Sequence, residues 1–239
     1  MAGAAARGKV FTKHARLIEI AAREGGGDSG SNAKLRAAIE AARGENVPNA
    51  NIDRAIKKGT GELKGEAIQE VLLEAYGPAG TAYLIECLTD NKNRTLGAVR
   101  AIVAKQGGRL AEGGAVAWQF ERKGVVVATS GQWKVESEQE GLQLELIDFG
   151  AEDIEVSDRT VDVTTDAQNW ANVRDFLKEK GFEIITAGLK YVPKQKVEVP
   201  DVETAKNIQV FMDAIEEDDD VSEVHTNADI SEEIAKQLS

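Results

Sequence analysis

Cysteine is almost missing from this sequence. The one present, Cys87, cannot close an internal disulfide or build a thiolate cage for a metal. That usage fits a reducing compartment, so a cytoplasmic protein is expected. Histidine is as scarce: His14 and His225 have no Cys or Asp partner at catalytic or ligand spacing, and each reads as isolated. No stretch reaches about 18 consecutive apolar residues, so no membrane-spanning helix is expected. The opening MAGAAARGKVFTK lacks the apolar centre of a secretory signal. A phosphate-binding loop is missing too. Neither Gly25-Gly26-Gly27 nor the GTGELKGE stretch from Gly59 follows a strand or leads into Gly-Lys-Ser/Thr, which excludes nucleotide hydrolysis of that kind. The acidic tract Glu216–Asp220 has no His or Cys beside it and reads as a solvated helix end rather than a metal site. The expectation is a non-enzymatic protein with no cofactor, no metal, no membrane contact and no small-molecule substrate.

What is present is charge, unevenly spread. The net charge of −12 conceals a basic head: residues 1–65 hold 12 Lys+Arg against 7 Asp+Glu. Residues 66–123 balance at 7 of each, and residues 124–239 hold 10 against 27. An acidic average argues against a generic nucleic-acid binder, but a basic head on an acidic body can hold phosphates on one face and repel them elsewhere.

In chain order, residues 9–60 read as three helices. The first runs from about Val10 to Glu24 and ends in three glycines; Ser31 or Asn32 caps the second, which stops near Gly44. Pro48 suits the first turn of the third, and Gly59 its end. Ile52 and Ile56 share one face of that third helix, so Arg54, Lys57 and Lys58 fall on the other. Arg16 and Arg23 on the first helix, with Lys34, Arg36 and Arg43 on the second, add cations able to contact phosphate without reading sequence.

A linker at 59–70 leads to the stretch around which the remainder is organised. Val71–Tyr76 is a predicted strand, and Ala82–Leu88 another. The polar turn from Thr89 to Arg94 then opens a helix whose apolar positions are Leu96, Val99 and Val103, stopped by Gly107-Gly108. The turn sets Asn91, Lys92, Asn93 and Arg94 at a helix N-terminus, where unpaired N–H groups favour anions; on spacing alone, Asp90, Asn91 and Asn93 read first as helix caps. Arg109–Gly114 reads as a loop and Ala115–Glu121 as a strand in which Trp118 and Phe120, sharing parity, face one core. No RNP-like aromatic pattern accompanies them. From Gly124 the order is strand 125–129, helix 134–149, strands 153–157 and 160–164, helix 167–180 and strand 182–191. That is β-α-β-β-α-β, the ferredoxin-like arrangement, inside which Trp133 and Trp170 should pack. A helix at 202–217 and a strand at 221–227 supply the pieces missing from the unit begun at Thr81. The predicted fold class is therefore α+β. A helical basic domain (1–65) precedes a split ferredoxin-like domain (71–123 and 199–230), which carries an inserted acidic ferredoxin-like domain (124–198).

The motifs RGKVFTK, EGGGD, LRAAIEAAR, VPNANIDRAIKKGTGEL, YGPAGTAYLIECLTDNKNRT, QGGRLAEGGAVAWQFERKG and DDDVSEVHTN resemble, in the same order, the YebC/PmpR family. The resemblance runs from about Arg7 to Asn227. It implies a three-domain mixed α+β architecture and a regulator associated with nucleic acid. Members are described as DNA-binding transcriptional regulators, a similar mitochondrial protein is a translational activator, and bacterial members are linked to stalled ribosomes. The sequence departs from the pattern in three places. The tryptophan- and lysine-rich arm usual before RGK is not here, which lowers the expected affinity; Asn49 replaces a common lysine; and Arg109 replaces an asparagine. The expected partner is ribosomal RNA, engaged on the ribosome, or duplex DNA. The expected contacts are Arg7, Lys9, Lys13, Arg16, Arg36, Asn51, Arg54, Lys57, Lys58, Asn91, Lys92, Asn93, Arg94 and Arg109. A sequence-specific DNA-binding transcriptional regulator and an acidic protein-binding adaptor are the alternatives.

Overall fold

The structure, a computed structural model, describes residues 2–131, 139–157 and 159–238. In chain order it runs α1 (Ala2–Gly25), α2 (Ala33–Gly44), α3 (Asn49–Gly59), β1 (Gln69–Tyr76), β2 (Ala82–Thr89), α4 (Lys92–Lys105) and β3 (Arg109–Leu110). Then come β4 (Phe120–Thr129), α5 (Gln139–Asp148), β5 (Ala151–Ser157), β6 (Thr160–Thr165), α6 (Trp170–Glu179) and β7 (Glu183–Pro193). The chain closes with β8 (Val197–Glu198), α7 (Val202–Glu216), β9 (Val221–Thr226), β10 (Ala228–Asp229) and α8 (Glu232–Leu238). Two compact units result: unit 1, Met1–Val116 with Val197–Ser239, and unit 2, Ala117–Lys196.

In unit 1, α1 is apolar on two sides. Ile18, Ala21 and Ala22 pack with Leu35, Ile39, Ala42, Ile52 and Ala55 to form the helical core. Leu17 and Ile20 turn instead toward Ile68 and Leu88 of the sheet region. The helix starts at Ala2 rather than near Val10, because the alanine-rich opening has high intrinsic helix propensity. Asn32 is the N-cap of α2: its Oδ1 accepts from Leu35 N at 3.0 Å while its Nδ2 donates to the carbonyls of Ala21 and Gly26. One side chain thereby caps one helix and ties it to the end of another. Pro48 sits at the N-cap of α3, one position before the first turn where it was expected. At the far end, a Cβ on Gly59 would run into the Glu19 carbonyl oxygen, so the crossing of α1 and α3 requires glycine.

The sheet of unit 1 has the order β3-β1-β2-β9, with all neighbours antiparallel. This is the ferredoxin-like order with β1, upstream of the motif, filling the place of its third strand. Tyr83, Ile85 and Cys87 on β2 face Val99 and Val103 of α4 and Phe211 and Ile215 of α7, forming the second core. Unit 2 is a complete β-α-β-β-α-β motif with strand order β5-β6-β4-β7 and its own core, in which Leu146, Val161, Val173 and Leu177 are buried. The fold is therefore α+β, three helices and two ferredoxin-like sheets, one interrupted by the other.

Several local readings change. Ala115–Glu121 is not a strand: the segment passes through a 3-10 turn at Ala117–Gln119, and β4 begins at Phe120. The preceding loop is held by the buried Glu74, whose carboxylate accepts from Gly114 N at 2.5 Å and Val116 N at 2.6 Å, taking N–H groups a strand ladder would use. Trp118 is consequently 67% exposed while Phe120 is 4% exposed, so the two do not share a core. Residues 134–138 of the predicted helix 134–149, and Trp133, lie outside the described residues. The parallel pair β8–β10 and the helix α8, resting on α7 through Ile208, Ile234 and Leu238, were not foreseen.

Asn32→Ala removes both the cap and the two carbonyl contacts. It is expected to lower stability by about 1–3 kcal/mol in urea denaturation with an unchanged m-value.

Candidate nucleic-acid interface

The clearest outward-facing basic surface is on α3. Ile52 and Ala55 are buried against the helical core, which forces Asn51, Arg54, Lys57 and Lys58 to the opposite side, where all four are exposed. At 100° per residue they lie within an arc of roughly 120°. None of these side chains forms a hydrogen bond or ion pair among the described residues. The acid in this helix is Asp53. Lys57 and Lys58 in the last turn also complement the helix dipole, a local role that Arg54 does not share.

The turn before α4 behaves differently. Asn91 is the N-cap, its Oδ1 accepting from Arg94 N at 3.1 Å, so the capping reading holds for it. Arg94 is half exposed, but its guanidinium is engaged within the protein, donating to Asp90 Oδ1 at 2.8 Å and to Asp220 Oδ2 at 2.9 Å. Lys92 and Asn93 remain exposed, with no side-chain partner among the described residues.

Asp220 is the centre of that arrangement. It is 6% exposed, so the end of the acidic tract is not a solvated helix terminus. Its Oδ2 accepts from Thr95 Oγ1 at 2.6 Å and Thr89 Oγ1 at 3.2 Å, and its Oδ1 lies 2.9 Å from Arg16 Nη2. Arg16 further donates to the carbonyls of Leu88 and Asp219, both at 2.7 Å. Burial pushes the Asp220 carboxyl upward; the Thr95 hydroxyl and the guanidinium groups of Arg94 and Arg16 outweigh it and hold the group below its ordinary value. Arg16 and Arg94, both expected at the interface, are thus brought together to neutralise one internal carboxylate.

The other expected contacts divide similarly. Lys9 donates through Nζ to the Glu216 carbonyl, and half-buried Lys13 lies in the field of the Glu216 carboxyl. Arg36 closes the 28–31 loop through the carbonyls of Ser29 and Gly30. Arg109 is exposed but lays its guanidinium 4.7 Å from the centre of the Tyr76 ring. Arg7 is exposed and has a partner of its own. One cation was overlooked: Arg100, exposed on α4 with no partner among the described residues, follows Asn93 and Gly97 along one helical stripe. The signal was there in the small exposed residues beside it, Gly97 and Ala104.

Nor is His225 isolated. Its Nε2 lies 2.7 Å from Glu86 Oε1, and with Glu223 these side chains place their donor atoms within 4.8 Å of one another. One imidazole and two carboxylates are ligand types a divalent ion uses, although the geometry present is that of a hydrogen-bonded pair. His14 is half-buried, and burial lowers its pKa. No described helix is long and apolar enough to cross a membrane.

Comparison with known proteins adds the relationship. A family profile described as the TACO1/YebC protein N-terminal domain matches residues 1–62, and one described as the TACO1/YebC second and third domain matches residues 68–228. The chain belongs to the TACO1/YebC family. Among similar members is a protein of Halothermothrix orenii, 42% identical over 98% of this chain and 91% of its own length. Another, from Thermotoga maritima, is 44% identical over 100% of this chain and 92% of its own. Both bear the name "probable transcriptional regulatory protein". A crystal structure of a conserved hypothetical protein from Aquifex aeolicus matches with a TM-score of 0.84 at 39% identity. It covers 95% of this chain and 91% of that one. The architecture of this TACO1/YebC member is therefore shared with a solved structure along nearly its whole length.

Replacing Asp220 with Asn leaves Arg16 facing an uncharged group in a largely buried site and should cost on the order of 3 kcal/mol. Because the folded-state pKa of Asp220 is depressed, its contribution is present above the ordinary carboxylate range and is lost as pH falls through the lowered value. Urea denaturation from pH 7 down to pH 3 should therefore show a shallower acid-side loss for Asp220→Asn than for the parent. Parallel curves would show that folding does not lower the Asp220 pKa.

Proposed function

We propose that this TACO1/YebC member is a non-enzymatic regulator of gene expression that acts in the cytoplasm. It binds the phosphate backbone of structured RNA, with the ribosome as the setting. The observation that carries this reading is the exposed stripe Asn51, Arg54, Lys57 and Lys58 on α3, whose cations have no partner within the described protein. Cations that fold a protein are paired; a group of unpaired ones held on a rigid helix suits a polyanion. Lys92 and Asn93 at the first turn of α4, with Arg100 behind them, offer a second contact of the same kind. The acidic remainder, with 10 Lys+Arg against 27 Asp+Glu in residues 124–239, disfavours phosphate elsewhere and so restricts the polyanion to the basic surfaces.

A second reading, duplex DNA as the target, draws support from the relatives' names as transcriptional regulatory proteins. The two separate cleanly. Sedimentation with ribosomal subunits in moderate salt is expected on the RNA reading. Preferential retention on one duplex over random duplex, with the protein consistently free of subunits, is expected on the other.

Either way, the triple replacement Arg54→Ala, Lys57→Ala and Lys58→Ala should reduce the slope of log affinity against log salt by up to about three. Stability should change by no more than about 0.5 kcal/mol per site, since these exposed side chains have no hydrogen-bond or ion-pair partner among the described residues. An unchanged slope removes α3 from the interface.

A further inference from the structure

Unit 2 contains a cleft that phosphate binding leaves unused. It lies between the end of α5 and one stripe of α6, is open to solvent and measures about 390 Å³, toward the small end of ligand pockets, roughly 300–1,000 Å³. Phe149, just past α5, stacks on Phe176 of α6 with ring centroids 4.5 Å apart and an interplanar angle of 26°. Around this pair stand Asp148, Asp175 and Glu179. Asp175 is engaged by its neighbour Arg174 at 2.7 Å, whereas Asp148 and Glu179 have no ion pair among the described residues.

Three observations give the cleft a sign. The last turn of α5 contains no basic residue, and Asp148 sits there instead, so its carboxylate adds to the negative end of the helix dipole rather than cancelling it. Phe149 is partly exposed, leaving an electron-rich ring beside those carboxylates. Finally, the protein already sets a cation on this aromatic pair: Lys180 Nζ lies 5.3 Å from the Phe176 ring centre while paired with Glu145. Lys180 serves Glu145 and Phe176, which leaves Asp148 and Glu179 without a paired cation among the described residues, beside the exposed Phe149 ring, a combination suited to an ammonium or guanidinium supplied from outside.

We propose that this cleft receives an arginine or lysine side chain carried on a basic segment of a partner protein. Unit 2 is then the protein-binding arm of a molecule whose basic helices bind nucleic acid, and the two activities are separable by mutation. A small apolar ligand is disfavoured by the acidic rim, and a nucleic acid by its charge.

The test uses the full chain and a fluorescent decapeptide of alternating arginine and glycine, read by anisotropy, with alternating glutamine and glycine as the uncharged control. Asp148→Asn with Glu179→Gln should weaken binding of the arginine peptide about ten-fold. Phe149→Leu, which keeps apolar volume but removes the ring, should weaken it about three-fold. The same loss of charge at residues that do not line the cleft, Glu183→Gln with Glu198→Gln, should leave it within about two-fold. Thermal melts confirm that each variant is folded. No binding by the parent chain overturns the proposal, as does unchanged binding in either cleft variant. An equal loss in the off-cleft variant reduces the effect to general attraction between an acidic protein and a basic peptide, and overturns it too.

Discussion

The carboxylate of Asp220 holds unit 1 together at a point where three separate pieces of chain converge. It is nearly enclosed, and an ion in that position is tolerated only when opposite charge and hydrogen-bond donors surround it. Arg16 reaches it from α1, Arg94 and Thr95 from the first turn of α4, and Thr89 from the end of β2. Leu88 N also donates to the Asp220 carbonyl at 2.8 Å, fixing the entry into β9 against the end of β2. Helical head and sheet are therefore not two beads on a linker. Arg16, together with Leu17 and Ile20 packed toward Leu88, locks α1 to the sheet by charge and by apolar contact at once.

That joint decides which cations remain for function. Arg16 and Arg94 belong to the same sequence neighbourhoods as the expected interface, yet both are paired with Asp220, Arg16 largely buried and Arg94 half exposed. Arg109, over Tyr76, and Arg36, over the 28–31 loop, are likewise committed to local structure. What is left outward includes one face of α3, the exposed start of α4 and Arg100 behind it. The charge asymmetry along the chain survives folding, but its basic part is smaller than a count of lysines and arginines implies.

How much of this could be read from the sequence depends on the range of the interactions. The α3 stripe was legible because a 100° repeat fixes which residues share a face, and Ile52 needs only a neighbouring helix to be buried. The caps at Asn32 and Asn91 were legible because an N-cap acts within three residues. The pairing of Arg94 with Asp220 was not, since 126 positions separate them and no spacing rule reaches that far. The strand expected at Ala115–Glu121 failed because alternation of apolar and polar residues is necessary for a strand but not sufficient. Glu74, 40 positions from Gly114, captures the backbone donors first. The β-α-β-β-α-β order was readable in unit 2 from its alternation of β and α patterns, whereas in unit 1 the second strand of the motif, β3 at Arg109–Leu110, falls in a stretch that reads as a loop. The two-residue strands β8 and β10 carry no periodicity at all. Matching of the motifs to the TACO1/YebC family supplied the architecture, but could not say which of the basic residues face outward.

The antiparallel pairing of β2 with β9 has a consequence for how the protein is made. β2 is complete at Thr89, but its partner begins only at Val221, whereas every strand of unit 2 lies between Phe120 and Pro193. During synthesis, unit 2 has its whole sheet available while unit 1 still lacks α7, β9 and the carboxylate that neutralises Arg16 and Arg94. The inserted unit can therefore fold first on the emerging chain, and the outer one completes its sheet last, with the edge of β2 waiting for its neighbour.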